Sequence, residues 1–403
     1  MPVAAFVVGI VWVPLKIQTA VFSIVFAGFS SISITAGKNQ RIIKVLGYHR
    51  LWSHRAYSAH PGLQVFFATF GASAGLYSII RWCSDHRAHH QYLDSDRDPY
   101  SARRGLFHAH YGWLLVKPKP GTIGYVNIQD LLRDNLVMWQ YENYPMLFFL
   151  MAFVLPTAVS TLLFNDLYGG IVYASCLRLF FIQQSMFCIN SLAHWVGEKP
   201  FSGNTPCDNF LVALITYGEG YHNFHHEFPM DYRNGIRWMD YDPTKWFIWL
   251  CAYANLASGL KTFPENEIEK SRFQRLEHQL EIRRQKISWG TKPEELPAIS
   301  IAQFTDRVRA GSSLIIINDV AHDVSEFMHD HPGGIVQMEA NIGRDCTKLF
   351  YGGIYMHSNA AVNLLSTMRV ARIVNTACQV KSLNSYPGSS GSDGLGGPLV
   401  ELS

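Results

Sequence analysis

Long runs of apolar residues alternate with polar, histidine-bearing segments over the first two-thirds of the chain, and the runs end near residue 260. Thr19–Ala36 carries no charge and nearly reaches the ~20 apolar residues that a membrane-crossing helix needs. Pro145–Phe164 reads as a clean span. Gly169–Asn190 reads as another, although it contains Arg178, Gln183 and Gln184; polar groups at that depth are costly and face the protein interior or a site. Met1–Val13 is apolar but short of a full span. Gly62–Trp82 is also apolar, and Lys245–Leu260 is short and rich in tryptophan; both are expected to lie along the membrane interface. From Pro264 to Lys286 the pattern turns highly charged, with a leucine and isoleucine spacing that fits a solvated helix. A compact soluble region follows, and Ser382–Ser403 is a Ser/Gly-rich stretch expected to be disordered. The pattern therefore predicts a mainly α membrane protein with up to four transmembrane helices, followed by a small soluble domain.

Composition sharpens that division. Apolar residues make up 48% of the 403-residue chain and charged residues only 16%, and the charge gathers between Pro264 and Arg309. A net charge of +3, with no basic stripe interleaved with aromatics, sets nucleic-acid binding aside. The seven cysteines are scattered without a C-x-x-C, which fits domains facing a reducing cytosol better than a disulfide framework. The first residues lack the charged region and cleavage site of a removable signal peptide.

The strongest chemical signal is the grouping of histidines. His49 and His54 form H-x-x-x-x-H. His86, His89 and His90 form H-x-x-H-H, as do His222, His225 and His226, and His194 stands alone between them. Neutral imidazole binds iron, zinc or copper. Residues three and four apart share a helix face, so each H-x-x-H-H is expected to aim three rings at one point. Such crowding has no packing rationale, and the ligands are too many for one ion. Zinc fits poorly, since it takes four ligands and no H-E-x-x-H occurs. Glu219 lies three residues before His222, as in carboxylate-bridged di-iron bundles, but the other boxes offer no carboxylate in register. Glu219 is expected instead to orient a histidine. His60, His278, His322 and His329 read as surface histidines. One site also requires one membrane face, and the three boxes share a face only if Gly62–Trp82 does not cross.

In Gly47–Tyr57 (GYHRLWSHRAY), Asp85–Tyr100 (DHRAHHQYLDSDRDPY), Asn190–Trp195 (NSLAHW) and Gly218–Pro229 (GEGYHNFHHEFP), the chain resembles the membrane acyl-CoA Δ9 desaturases, in their fungal form, over residues 17 to 285. The resemblance implies that His49, His54, His86, His89, His90, His194, His222, His225 and His226 ligate two irons, and that Asn190 holds a metal-bound water. It implies that Arg103 and Arg104 contact the phosphates of coenzyme A, and that Phe187 lines a bent acyl tunnel. It further implies O2-dependent desaturation of saturated acyl-CoA such as stearoyl-CoA or palmitoyl-CoA, in a multi-pass protein of the endoplasmic reticulum membrane. Many animal family members carry an arginine just before the Asp of DHRAHH, where this chain has Ser84.

His331-Pro332-Gly333-Gly334 and the later His357-Ser358, flanked by IIINDVAHDVSEFM and IGRDCTKLF, are similar to cytochrome b5, a small α+β fold. That resemblance makes His331 and His357 the axial ligands of haem b, a bis-histidine haem that shuttles electrons rather than binding O2. NADH-cytochrome b5 reductase is the implied partner, which places the haem domain and the histidine boxes on the cytosolic side. The expected organisation is a desaturase domain over 1–285, a haem domain over 298–374 and a disordered tail over 375–403.

The chain also departs from the family pattern before the first histidine box. Family members read ITAG-YHRLW without interruption, whereas here residues 38–47 intervene, basic and without turn chemistry. Ten residues would turn a helix by about 1000° and lengthen it by about 15 Å. The N-terminus also begins midway through the family's first span. Together these are expected to mark an imperfect gene model, with a retained short intron and a missing first exon. Two other functions fit parts of the pattern: an acyl-lipid or sphingolipid desaturase or hydroxylase, and a non-catalytic, membrane-tethered haem carrier.

Overall fold

The structure is a computed structural model that describes residues 9, 11–35, 48–116, 121–352 and 356–374. The intervening stretch 38–47, most of Met1–Val13 and the tail 375–403 lie outside the described residues. The chain divides into two compact units, Met1–Leu280 and Glu281–Ser403.

The first unit is helical. Among the described residues three helices are long and apolar enough to cross a membrane: α1 (Ile17–Thr35), and two that follow later in the chain, Tyr144–Phe164 and Leu167–His194. Three serines of α1 cost little at that depth, because they bond back to the helix itself. Ser23 donates to the Thr19 carbonyl, Ser30 to that of Phe26 and Ser33 to that of Phe29. Outward-facing Phe149, Leu162 and Leu163 give the second span an apolar surface. Arg178, flagged by the sequence as too polar for a span, is buried inside the unit. It donates to the carbonyls of Ala174 and Ala152 and to Ser30 Oγ, and its guanidinium lies 4.7 Å from the Phe26 ring.

Gly62–Trp82 differs from the single interfacial helix expected. It is two helices, α2 (Pro61–Ala72) and α3 (Ile79–Gln91), broken where Gly75 and Tyr77 take positive φ of 67° and 69°. Gly75 is required there, since a Cβ would meet Phe148 at 2.8 Å. Ser78 then caps α3 by accepting from Arg81 N–H. Twelve residues rise about 18 Å, too little to cross a hydrocarbon core of about 30 Å. Phe66 and Phe70 of α2 pack on Phe26 and Phe29 of α1 with ring centroids 5.5 to 6.0 Å apart. The Trp-rich segment forms α4 (Pro243–Tyr253), capped by Asp242. A two-residue antiparallel ladder follows, β1 (Ser58–Ala59) with β2 (Ala257–Ser258), and it ties the segment after the first histidine box to the end of the unit.

The second unit is a small α+β fold. Four strands, β3 (Ala298–Ser300), β4 (Leu314–Ile317), β5 (Val320–Asp323) and β6 (Arg369–Val374), lie in the order β3-β6-β5-β4. The β3–β6 pair is parallel and the others antiparallel. A capping box, Ser300 with Gln303, starts helix Ile301–Arg309 and contributes about 1 kcal/mol. His322 corrects the sequence reading. It is buried rather than on the surface, at 2% exposure, because it pairs with Ile315 across the β4–β5 hairpin and so shares the packed face of the sheet.

Candidate metal centre

The first histidine box lies on a widened turn, Tyr48–Ser53, with π-helical hydrogen bonding. On a regular α-helix residues five apart point about 140° away from each other. The wider turn, closed by His54 N–H donating to the His49 carbonyl, brings the two rings to 5.0 Å. The second box sits on α3. Arg87 of that helix donates to the Trp52 carbonyl and to both oxygens of Asp130, which fixes the first box against the second. The third box is a six-residue helix, His222–Glu227. Asp208 accepts from the backbone N–H groups of Asn223 and Phe224 at 2.7 and 3.2 Å, and burial pushes its carboxyl up to about 7 against the pull of those amides.

The nine histidines converge, but not box by box. His49, His54, His86, His90 and His225 form one group, and His89, His194, His222 and His226 form a second. The expectation that each H-x-x-H-H aims three rings at one point is therefore corrected. Residues four apart (His86 and His90, His222 and His226) share a face, while the residue between them on the adjacent face serves the other group. Within each group the ligand atoms lie within 4.8 Å of one another. Nε2–Nε2 separations are 3.0 Å for His49–His225 and for His90–His225, 2.8 Å for His54–His86, and 3.1 Å for His222–His226.

These groups fit metal ions. A metal–nitrogen bond of about 2.1 Å sets neighbouring ligand nitrogens about 3 Å apart. Burial, reinforced by the neighbouring rings, holds His54, His86, His90, His222, His225 and His226 well below the ordinary imidazole range, so they are neutral donors at physiological pH. Hydrogen bonding among imidazoles does not account for the arrangement, because the buried His89 Nε2 and His194 Nε2 have no hydrogen-bond partner. A cation between the rings would satisfy both.

Carboxylates stand one step behind the rings. Asp98 places both oxygens 3.0 Å from His89 Nδ1, and Asp94 Oδ2 lies 3.5 Å from His194 Nδ1. Glu219 Oε2 lies 3.0 Å from His49 Nδ1, the orienting contact anticipated from sequence. Burial would raise the Glu219 carboxyl, but His49 and Arg50 together hold it at about 2. The sequence reading missed Asp94, Asp98, Arg50 and Asp242; the acidic run directly after the second box (DSDRD) was the available signal for the first two.

A cavity adjoins the histidines. His49, His86, Glu219 and Asn190 form its polar wall, and Leu76, Met186, Phe187 and Ile189 its apolar one. Phe187 is buried at 4% exposure, packed against the rings of Tyr111 and Trp113. Behind it His110 bonds Ser191 Oγ and Gln184. Arg103 and Arg104 are exposed on a short turn. Arg104 borders a separate polar cleft with Arg81, Asp85 and His108, and Arg103 does not.

In the second unit the rings of His331 and His357 face each other with centroids 6.4 Å apart. Two metal–nitrogen bonds of about 2 Å on opposite sides of one iron, plus the two ring radii, give roughly that distance. His357 Nδ1 donates to the Phe350 carbonyl at 3.0 Å, which leaves Nε2 as the basic nitrogen. Gly333 explains part of the HPGG signature, since a Cβ there would meet His331 Cε1 at 2.9 Å.

Comparison with known proteins agrees with both halves. Residues 22–257 match the fatty acid desaturase family, and residues 300–374 match the cytochrome b5-like heme/steroid binding domain. The chain is 45% identical to acyl-CoA desaturase 1 of Saccharomyces cerevisiae, over 90% of this chain and 69% of that protein. It is 42% identical to a probable acyl-CoA desaturase of Schizosaccharomyces pombe, over 94% of this chain and 77% of that protein. With stearoyl-CoA desaturase 5 of Homo sapiens the identity is 40% over 56% of this chain and 71% of that protein. Family match, membrane-length helices and histidine groups agree: the chain belongs to the fatty acid desaturase family, the oxidoreductases of lipid metabolism, and bears a cytochrome b5-like domain on its C-terminal side.

Proposed function

We propose that this chain is an acyl-CoA Δ9 desaturase that inserts a cis double bond into stearoyl-CoA and palmitoyl-CoA and carries its own electron donor. The observation that carries this reading is the pair of buried histidine groups, the first of which lines a largely apolar cavity through His49 and His86. In this reading His49, His54, His86, His90 and His225 hold one iron. His89, His194, His222 and His226 hold the second, and Asn190 holds a metal-bound water. Reduced iron with dioxygen supplies the oxidant that an unactivated methylene chain requires and that no side chain provides. The residues of the chain do the rest. Leu76, Met186 and Phe187 hold the acyl chain away from water, and Phe187 bends it past the histidines. Arg103 and Arg104 grip the phosphates of coenzyme A outside the apolar wall.

The balance requires that the substrate lose two protons and two electrons, that two further electrons and two protons arrive, and that dioxygen leave as two waters. His331 and His357 would hold a haem, which when bound would supply those electrons, with NADH-cytochrome b5 reductase as their source. Tethering raises the donor's effective concentration to about the millimolar range. A cytosolic reductase places the haem domain and the boxes on the cytosolic face of the endoplasmic reticulum membrane. The units proposed are a desaturase domain over 1–285 and a haem domain over 298–374.

Expression in a host that lacks its own Δ9 desaturase tests the reading. Growth without added unsaturated fatty acid, with palmitoleate and oleate in the lipid extract, is the expected result. New double bonds confined to sphingolipids, or no new double bond from a chain that still carries haem, would contradict it.

A further inference from the structure

We infer that Arg50 is the positioning residue of the five-histidine group, acting through Glu219 and clamped in turn by Asp242; this rests on the two-iron reading above. Arg50 follows the ligand His49 and is fully buried, at 0% exposure. One terminal nitrogen donates to Glu219 Oε1 at 2.8 Å and to Asp242 Oδ1 at 2.9 Å. The other donates to Asp242 Oδ2 at 3.0 Å and to the Tyr232 carbonyl at 2.8 Å. The two carboxylates lie 169 and 192 residues away in sequence. Glu219 is thus held from two sides, with Arg50 on Oε1 and His49 Nδ1 on Oε2.

The clamp itself is anchored to the backbone. Asp242 accepts from the backbone N–H groups of Asn234, Gly235 and Lys245, the last as the cap of α4. Its near neighbour Thr244 meets Thr35 Oγ1 at 2.6 Å, and Thr35 is part of the cavity wall. One guanidinium therefore fixes the orientation of an iron-ligating ring to the frame that also shapes the cavity. Only a planar fork can serve two carboxylates at once in this way.

The four-histidine group is held differently. Asp98, behind His89, accepts from the backbone N–H groups of Asp94 and Tyr100. Asp94, beside His194, accepts from the N–H of Ala102 and from the hydroxyl of Thr205. None of these contacts passes through Arg50. An imidazole ligand brings no negative charge to offset a bound cation, so the carboxylates behind the rings supply it, and each group has its own set. Loss of Arg50 is therefore one-sided: it loosens His49 and leaves the ligands of the other group in place.

The test uses the full-length chain with its haem, stripped of non-haem metal and titrated with cobalt(II) alone, followed by visible absorption and bound cobalt per chain. The unsubstituted chain binds two cobalt ions. Arg50→Gln is expected to weaken one of them about 10- to 100-fold, the usual effect of losing an outer-shell partner, with a changed ligand-field spectrum for that ion alone. Glu219→Gln keeps the Arg50–Asp242 clamp and the side-chain volume, so it covers the case in which Arg50→Gln does not fold, and the same selective weakening is expected. Two cobalt ions bound with parental affinity in either folded variant would overturn the inference. So would loss of both ions together from a variant that keeps its haem and elutes as the parent does. A parent chain that binds no cobalt removes the two-iron reading itself, and this inference with it.

Discussion

Replacing His225 with alanine is expected to abolish desaturation, and His222→Ala to do the same, although the two residues serve different groups. His225 Nε2 lies 3.0 Å from both His49 Nε2 and His90 Nε2, so its ring links the first and second boxes around one centre. His222 pairs with His226 at 3.1 Å in the other. Loss of an outer-shell partner typically costs 10- to 100-fold, and removal of a ligand itself should exceed that. Product formation in the desaturase-deficient host is expected to fall by more than about 100-fold in each variant, at an unchanged level of haem-bearing chain. Retention of a tenth of the parental activity by either variant would mean that its group is not needed for the reaction.

The second large effect lies in the other unit. His331→Ala or His357→Ala is expected to eliminate the oxidised haem Soret band while leaving the non-haem metal content unchanged, because the two faced rings belong entirely to the second unit. A haem held by one histidine has lost half of its axial ligation. Desaturation should then depend on added soluble cytochrome b5, since the tethered donor is gone and its millimolar effective concentration with it. Unchanged haem occupancy in both variants would contradict the axial assignment.

Much of the architecture was legible in the sequence because hydrophobic length and histidine spacing are local signals. The apolar runs Thr19–Ala36, Pro145–Phe164 and Gly169–Asn190 correspond to the three membrane-length helices. The charged run after Pro264 corresponds to helix Glu265–Gln285. The nine clustered histidines were also visible, but their division into five and four was not. That division depends on the widened turn at Tyr48–Ser53 and on the approach angles of three segments, and no single segment encodes them. Gly62–Trp82 misled because its composition is predominantly apolar, whereas its break rests on backbone geometry at Gly75 and Tyr77. His322 misled for another reason: one polar residue in a short strand reads as surface until its partner Ile315 is known. The network around Arg50 is the least legible part, since its partners lie more than a hundred residues away and an arginine beside a histidine box reads as an ordinary surface charge.

In the proposed reading two irons sit in the two histidine groups while a third is held as haem. Metal analysis of the purified full-length chain, with haem quantified separately by its pyridine haemochrome, tests this most directly. The account predicts three irons per polypeptide, one of them in haem. A single iron per polypeptide, all of it haem, in a chain that still desaturates acyl-CoA would contradict it.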